Sequence, residues 1–227
     1  GSVFILGGAM TEDKKALIGY MPEERGLYQD YPLERCLLYL AALKGMPDQE
    51  ARQRLEEYFE RFELSAYKVK KIKELSKGMQ QKAQIISAIL HQPELLIVDE
   101  PFSGLDPVNV HLARDVLNEM HAKGTTIIMS THQMHQVEEL CDRILLIHHG
   151  KVMLYGNLDK IRRHFSGHEI LVRSTGDLAK LSGVKQITPH NNALKLTLTE
   201  KTTPHEILQS LMAMDYPLEK FEVAIPS

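Results

Sequence analysis

Cysteine is scarce: the 227 residues hold two, Cys36 and Cys141. Neither belongs to a Cys-x-x-Cys pair or stands at metal-ligand spacing, which argues against a disulfide framework and a zinc site. Both fall within helical patterns, so buried or half-buried thiols in a reducing, cytosolic compartment are expected. Long apolar runs are missing too. No stretch approaches the length of a bilayer-spanning helix, and the first residues carry no basic-then-apolar leader, so membrane association would need a partner. Nor is there a basic excess, since 27 Lys and Arg face 30 Asp and Glu for a net charge of −3. Nucleic acid is therefore not an expected partner, although net charge says nothing of a local patch.

What is present is an ordinary globular composition, 43% hydrophobic and 25% charged, in a chain long enough for one large or two smaller domains. Its pattern is organised around Leu95-Leu96-Ile97-Val98-Asp99-Glu100-Pro101, with Ser103-Gly104-Leu105-Asp106 close behind. Four apolar residues ending in two carboxylates read as a strand buried on both faces, delivering its acids at the carboxyl edge of a parallel sheet. Such edges bind ligands. Adjacent carboxylates there suit magnesium-dependent phosphate chemistry: one acid holds the metal, directly or through water, and the next positions or deprotonates an attacking water. On the dipeptide alone, an ordinary strand followed by a polar turn serves equally well.

Two further stretches decide between these readings. In Leu75-Ser76-Lys77-Gly78-Met79-Gln80-Gln81-Lys82, Ser76 stands where a helix cap belongs, before a helical pattern to about Leu90. A helix N-terminus of this kind can hold a phosphate. Downstream, Thr126 to Ser130 is a second apolar strand with Thr131-His132 at its end, where a histidine is either a plain surface residue or a phosphate sensor. In this order the serine-capped helix, the Asp-Glu strand, Ser-Gly-Leu-Asp and the strand-end histidine resemble the ATP-binding cassette, or ABC, ATPases. The resemblance covers about two thirds of the chain.

That resemblance implies an α/β fold: a P-loop NTPase-type, mostly parallel sheet with an inserted helical subdomain, plus a small C-terminal α+β domain. It implies ATP and Mg2+ as ligands, with Asp99 helping to hold the metal, Glu100 polarising the attacking water and His132 contacting the γ-phosphate. Ser76 and Gly78 would serve the ATP of a second ATPase subunit in a head-to-tail dimer, and Asp106 would link the two sites. Glu23 falls where the family carries a glutamine that reaches the metal and the terminal phosphate. The substitution keeps an oxygen ligand and adds a charge; the alternative is a solvated acidic loop with Arg25 as counter-charge. The signature also departs from the usual Leu-Ser-Gly-Gly-Gln, with Lys77 for the first Gly and Met79 for the Gln. Ser76 and Gly78 still supply a hydroxyl and a closely approachable amide, and Lys77 either adds charge to the phosphate contact or points into solvent.

The remaining segments fall around this centre. Val3 to Gly7 resembles the turn, strand and Gly just beyond the first helix of an ABC domain. Residues 32–91 would form the helical subdomain, which in the family faces a transmembrane permease; the stripe Leu55, Tyr58, Phe59 and Phe62 reads as its core. The run Lys68, Lys70, Lys71 and Lys73 lacks interleaved aromatics and reads as a solvated face. His148 and His149 sit at a hairpin turn, and because strand neighbours face opposite ways no two-histidine metal site is expected. A compositional boundary at Ser166-Gly167 divides residues 1–165, the partial ATPase domain, from residues 166–227. The latter resemble the C-terminal domain of ABC subunits of drug-export and sodium-export type, and read as a protein-contact or dimer-supporting module.

No Gly-x-x-x-x-Gly-Lys-Ser/Thr occurs anywhere. In the family that P-loop wraps the β-phosphate and supplies a lysine and a metal-binding hydroxyl. Since the chain opens on what looks like a strand beyond the loop, truncation is the expectation, and Pro226-Ser227 reads as a second cut. The function expected is an ATP-hydrolysing subunit that powers export through a separate permease, cytoplasmic and peripheral to the membrane, with this polypeptide inactive alone. Two alternatives stand beside it: a non-catalytic interaction protein built on a degenerate cassette, and a non-transport ABC ATPase, which should bring a tandem cassette or a long coiled coil.

Overall fold

Three short apolar segments pair in parallel to make the sheet that carries the strand-end acids. The computed structural model describes residues 1–24, 26–166, 169–199, 201–214 and 217–223, and falls into two units, Gly1–Gln133 and Met134–Ser227. Arg25, and Gly167 at the expected compositional boundary, lie outside the described residues.

In the first unit Phe4–Ile5 (β1) and Gly8–Ala9 (β2) pair as a small antiparallel ribbon, where a single strand was expected, and Glu12–Ala16 (α1) follows. Ile18–Met21 (β3) leads through the Glu23 loop to Leu33–Leu43 (α2), Asp48–Arg61 (α3) and Lys77–Ile89 (α4); Leu95–Asp99 (β4), Pro107–Ala122 (α5) and Thr126–Ser130 (β5) complete the unit. The sheet order is β3-β4-β5, all parallel, with Met21 opposite Val98 and Asp99 opposite Ser130. This register brings the carboxyl ends of all three strands to one edge.

The central position of β4 explains its unbroken apolar run: Leu95, Leu96 and Val98 are buried. Against β3 lies α4, whose side chains from Gln80 to Ile86 are all buried. The approach is close enough to require glycine, because a Cβ on Gly19 would stand 2.2 Å from the Ala88 carbonyl oxygen. α2 packs on α3 and α4, and Leu55, Phe59 and Phe62 are fully buried as their spacing predicts, each worth about 1.5–3 kcal/mol of burial. The lysine run is absorbed locally. Lys68 pairs with Glu56, Lys73 reaches Asp30 at 2.6 Å, and Lys70 lies over the Tyr67 ring.

The second unit begins with Met134–Leu140 (α6), then Arg143–His148 (β6) and Lys151–Asn157 (β7) in an antiparallel ribbon, and Leu158–Ser166 (α7). Strand alternation fails at the ribbon's turn: His149 takes a left-handed φ of 47°, which brings its ring to 4.1 Å from that of His148. Glu169–Ser174 (β8), Val184–His190 (β9), Ala193–Leu198 (β10), Pro204–Ala213 (α8) and Leu218–Val223 (β11) then form an antiparallel sheet of order β11-β8-β10-β9 joined by α8 and a short 3-10 turn at Leu178–Lys180. Ile170, Val172, Leu196 and Leu198 face Ile207 and Leu211 in its core. α8 opens on a complete capping box, Thr203 with Glu206, and has Pro204 in its first turn. Cys36 is buried, Cys141 half-buried, and both are free thiols. Among the described residues no helix is long and apolar enough to cross a membrane.

Candidate functional site

Parallel pairing decides which residues meet. β4 ends at Asp99-Glu100 between the exit of β3, which leads into Pro22-Glu23, and the exit of β5, which leads into Thr131-His132. Asp99 lies opposite Ser130 in the ladder and its Oδ1 accepts a hydrogen bond from the Ser130 hydroxyl. Glu100 leaves the strand in a left-handed conformation, φ 45°, which is costly for a residue with a Cβ. Its backbone is held on both sides: the Glu100 N–H donates to the Ser130 carbonyl at 3.0 Å, and the Gln81 amide donates to the Glu100 carbonyl at 3.3 Å.

The turn aims the Glu100 carboxylate at the end of β5. Oε1 accepts the His132 backbone N–H at 2.8 Å and lies 2.7 Å from His132 Nδ1, while Oε2 accepts the Thr131 hydroxyl at 3.2 Å. Glu100 is largely covered, its side chain 12% exposed, whereas His132 is 81% exposed. A carboxylate accepts and does not donate, so Nδ1 carries the proton and Nε2 is left for a ligand.

Ser76, Gly78 and Asp106 belong to a second group. Ser76 caps α4, accepting the Met79 N–H at 3.2 Å, and its own hydroxyl proton remains to be donated. Gly78 abuts the turn after β4: a Cβ there would lie 3.3 Å from the Gly104 carbonyl oxygen. Asp106 caps α5 through the Asn109 N–H at 3.0 Å, and also takes the Asn109 side-chain amide. The backbone bond, then the side-chain bond, from Asn109 hold its carboxyl below the usual carboxylate range. Lys77 and Glu23 are both exposed.

Side chains that sequence reasoning passed over tie these parts together. Gln81 donates to the carbonyls of Glu100 and Pro101, Gln84 donates to those of Pro22 and Glu24, and the buried Lys82 ammonium donates to the Phe62 carbonyl at the end of α3. The only local signal for them is polar residues standing at core-facing positions of an apolar helix.

The donor set bears on the metal. Among the described residues no group of three His, Cys, Asp or Glu is placed to hold an ion unaided. One or two strand-end carboxylates fit a cation such as Mg2+, which keeps waters and takes its other ligands from phosphate.

Comparison with known proteins places this arrangement. Residues 9–137 match the family described as "AAA domain, putative AbiEii toxin, Type IV TA system", and residues 156–227 match the ATP-binding protein DrrA1-3-like, C-terminal domain. The chain is 43% identical over 230 residues to the uncharacterized ABC transporter ATP-binding protein YhaQ of Bacillus subtilis, covering 100% of this chain and 77% of that protein. It is 45% identical over 202 residues to the uncharacterized ABC transporter ATP-binding protein MJ1023 of Methanocaldococcus jannaschii, covering 87% and 74%. A solved ATP-binding subunit of an ABC transporter superposes with a TM-score of 0.63 at 38% identity, over 66% of this chain and 63% of that one. The strand-end acids, the serine-capped helix and these relatives agree: the chain belongs to the ABC transporter ATP-binding proteins.

Proposed function

We propose that the chain supplies the hydrolytic half-sites of an ATPase subunit that drives export through a separate membrane permease, working as a head-to-tail dimer at the cytoplasmic face. The observation that carries this reading is the meeting of Glu100 with His132 beside Asp99 at one sheet edge. Residues 156–227 match a DrrA1-3-like C-terminal domain, and its role in this reading is contact with a partner or support of the dimer.

Asp99 would hold magnesium through its carboxylate, with Glu23 reaching the same region from the neighbouring loop. Bound with the nucleotide, the metal would neutralise charge on the phosphate oxygens. Each carboxylate oxygen has two lone pairs; Oε1 of Glu100 uses both on His132, and Oε2 uses one on Thr131. The remaining lone pair of Oε2 is where an attacking water would be held and its proton taken. With Nδ1–H turned to Glu100, His132 would present Nε2 to the γ-phosphate. Ser76 Oγ–H and the Gly78 amide would address the nucleotide of the second subunit, with Asp106 beside them as the link.

The 227-residue chain alone should be silent. Asp99, Glu100 and His132 act on a triphosphate already in place, and the chain contains no P-loop sequence to place it. In a P-loop-bearing form, Glu100→Gln should let ATP bind and hold the dimer closed. Size-exclusion chromatography with Mg-ATP reads this directly: an ATP-dependent dimer supports the proposal, and a variant that stays monomeric at saturating ATP contradicts it.

A further inference from the structure

Gln84 is 2% exposed, midway along α4, where an apolar residue would pack at no polar cost. Its Nε2 lies 2.5 Å from the Pro22 carbonyl oxygen and 3.1 Å from that of Glu24. Two carbonyls are two acceptors, so the group between them must carry two donors, as the amide NH2 does; neither a carboxylate nor a hydroxyl meets that need. The acceptors sit immediately before and after Glu23. The residues on either side of Glu23, which is itself exposed, are therefore pinned through their carbonyls to the helix whose N-terminus carries Ser76 and Gly78.

One turn earlier the same device recurs. Gln81, 8% exposed, donates to the carbonyls of Pro101 at 3.0 Å and Glu100 at 3.3 Å. α4 thus holds two functional turns through one side-chain type, at positions 81 and 84 on a single helix face. Apolar residues at both positions would leave the carbonyls without these donors.

We propose that Gln84 is a positioning residue that acts through Glu23: it fixes the loop so that Glu23 faces the metal and terminal phosphate, and it makes α4 the element through which the Glu23 loop and the Glu100 turn move together. The assignment of Glu23 rests on the function proposed above; the clamp itself rests only on the hydrogen bonds.

Two measurements separate these. Hydrogen exchange of the 227-residue chain reads the clamp without any catalysis. Gln84→Met keeps length and helix propensity and removes both donors, and should speed exchange in residues 23–27 by about 5-fold or more while α4 itself is unchanged. Unchanged exchange in that segment overturns the clamp; faster exchange throughout residues 77–99 overturns it as well, because the effect is then general loosening. In a P-loop-bearing form, turnover is compared for Gln84→Met, Glu23→Ala and the double variant across Mg2+ concentrations. Acting through Glu23, Gln84→Met should raise the Mg2+ needed for half-maximal rate, and the double variant should be no worse than Glu23→Ala. Independent, multiplying losses overturn the positioning role. If the unsubstituted protein hydrolyses no ATP, the functional reading fails, and the exchange result still decides the clamp.

Discussion

Glu100 and His132 are joined twice: the ring Nδ1 lies 2.7 Å from carboxylate Oε1, and the backbone N–H of His132 donates to the same oxygen at 2.8 Å. The two contacts separate under mutation. His132→Ala removes the ring and keeps the amide, so Glu100 stays aimed while the proposed phosphate contact is lost. Turnover of a P-loop-bearing form should fall by about 10²-fold, less than for loss of the Glu100 carboxylate. Steady-state kinetics of the two variants side by side checks the ranking; an equal loss would assign His132 to holding Glu100 alone.

At Gly19, β3 and α4 approach too closely for a side chain. A methyl group there would stand 2.2 Å from the Ala88 carbonyl oxygen and 2.8 Å from the Leu96 side chain. Backbone cannot yield as a side-chain tip can, so Gly19→Ala should cost at least the upper end of the about 1–3 kcal/mol typical of overpacking. Denaturant unfolding against the unsubstituted chain measures it, and a change under about 0.5 kcal/mol would contradict this packing.

His91 links stability to pH. Its Nε2 lies 3.2 Å from the Ile18 carbonyl, while its buried Nδ1 has no hydrogen-bond partner among the described residues. Burial, assisted by the Lys44 ammonium and opposed by the bond to Ile18, lowers its pKa from 6.5 to about 4. Between those values the unfolded chain holds the extra proton, so stability is intact above pH 6.5, is lost as pH falls towards 4, and changes no further below. The full shift would correspond to about 3 kcal/mol, and partial exposure reduces this to about 1–2 kcal/mol. The difference between the urea midpoints at pH 7.5 and pH 5 should be smaller in His91→Gln than in the unsubstituted protein. Equal shifts in both would remove His91 as the cause.

The reading of strand ends survives well in the structure because it depends on local signals. Ser76 is a cap that the sequence marks directly, and β4 has the unbroken apolar run of a central strand; the capping role of Asp106 emerged from the structure. Parallel pairing then brings Asp99, Glu100 and His132 to one edge. Less was legible where a polar letter faces inward. Gln84 bonds to carbonyls 60 and 62 residues away, a relation that no local periodicity encodes, and Gln81 and Thr131 are hidden for the same reason. At His148-His149 alternation was the wrong guide, because a left-handed residue at a turn cancels it.

The surface of α2 offers a test of coupling. Tyr39 and Leu43 are 51% and 63% exposed, and Tyr39 meets Tyr28 edge to face with ring centroids 5.8 Å apart. If this subdomain receives the permease, Tyr39→Ala with Leu43→Ser should lower transport about tenfold or more while ATP turnover of the isolated P-loop-bearing subunit changes less than about twofold. Parallel transport and turnover assays decide it; equal loss of both would place the residues in the fold of the ATPase.

The most direct test of the whole account is magnesium-dependent ATP turnover by a P-loop-bearing form of the subunit, measured with and without Glu100→Gln. The substitution keeps the shape of the side chain and takes away the oxygen proposed to accept a proton from water. Turnover should fall by about 10²- to 10⁴-fold with ATP still bound. Turnover unchanged by Glu100→Gln would contradict the account at its centre.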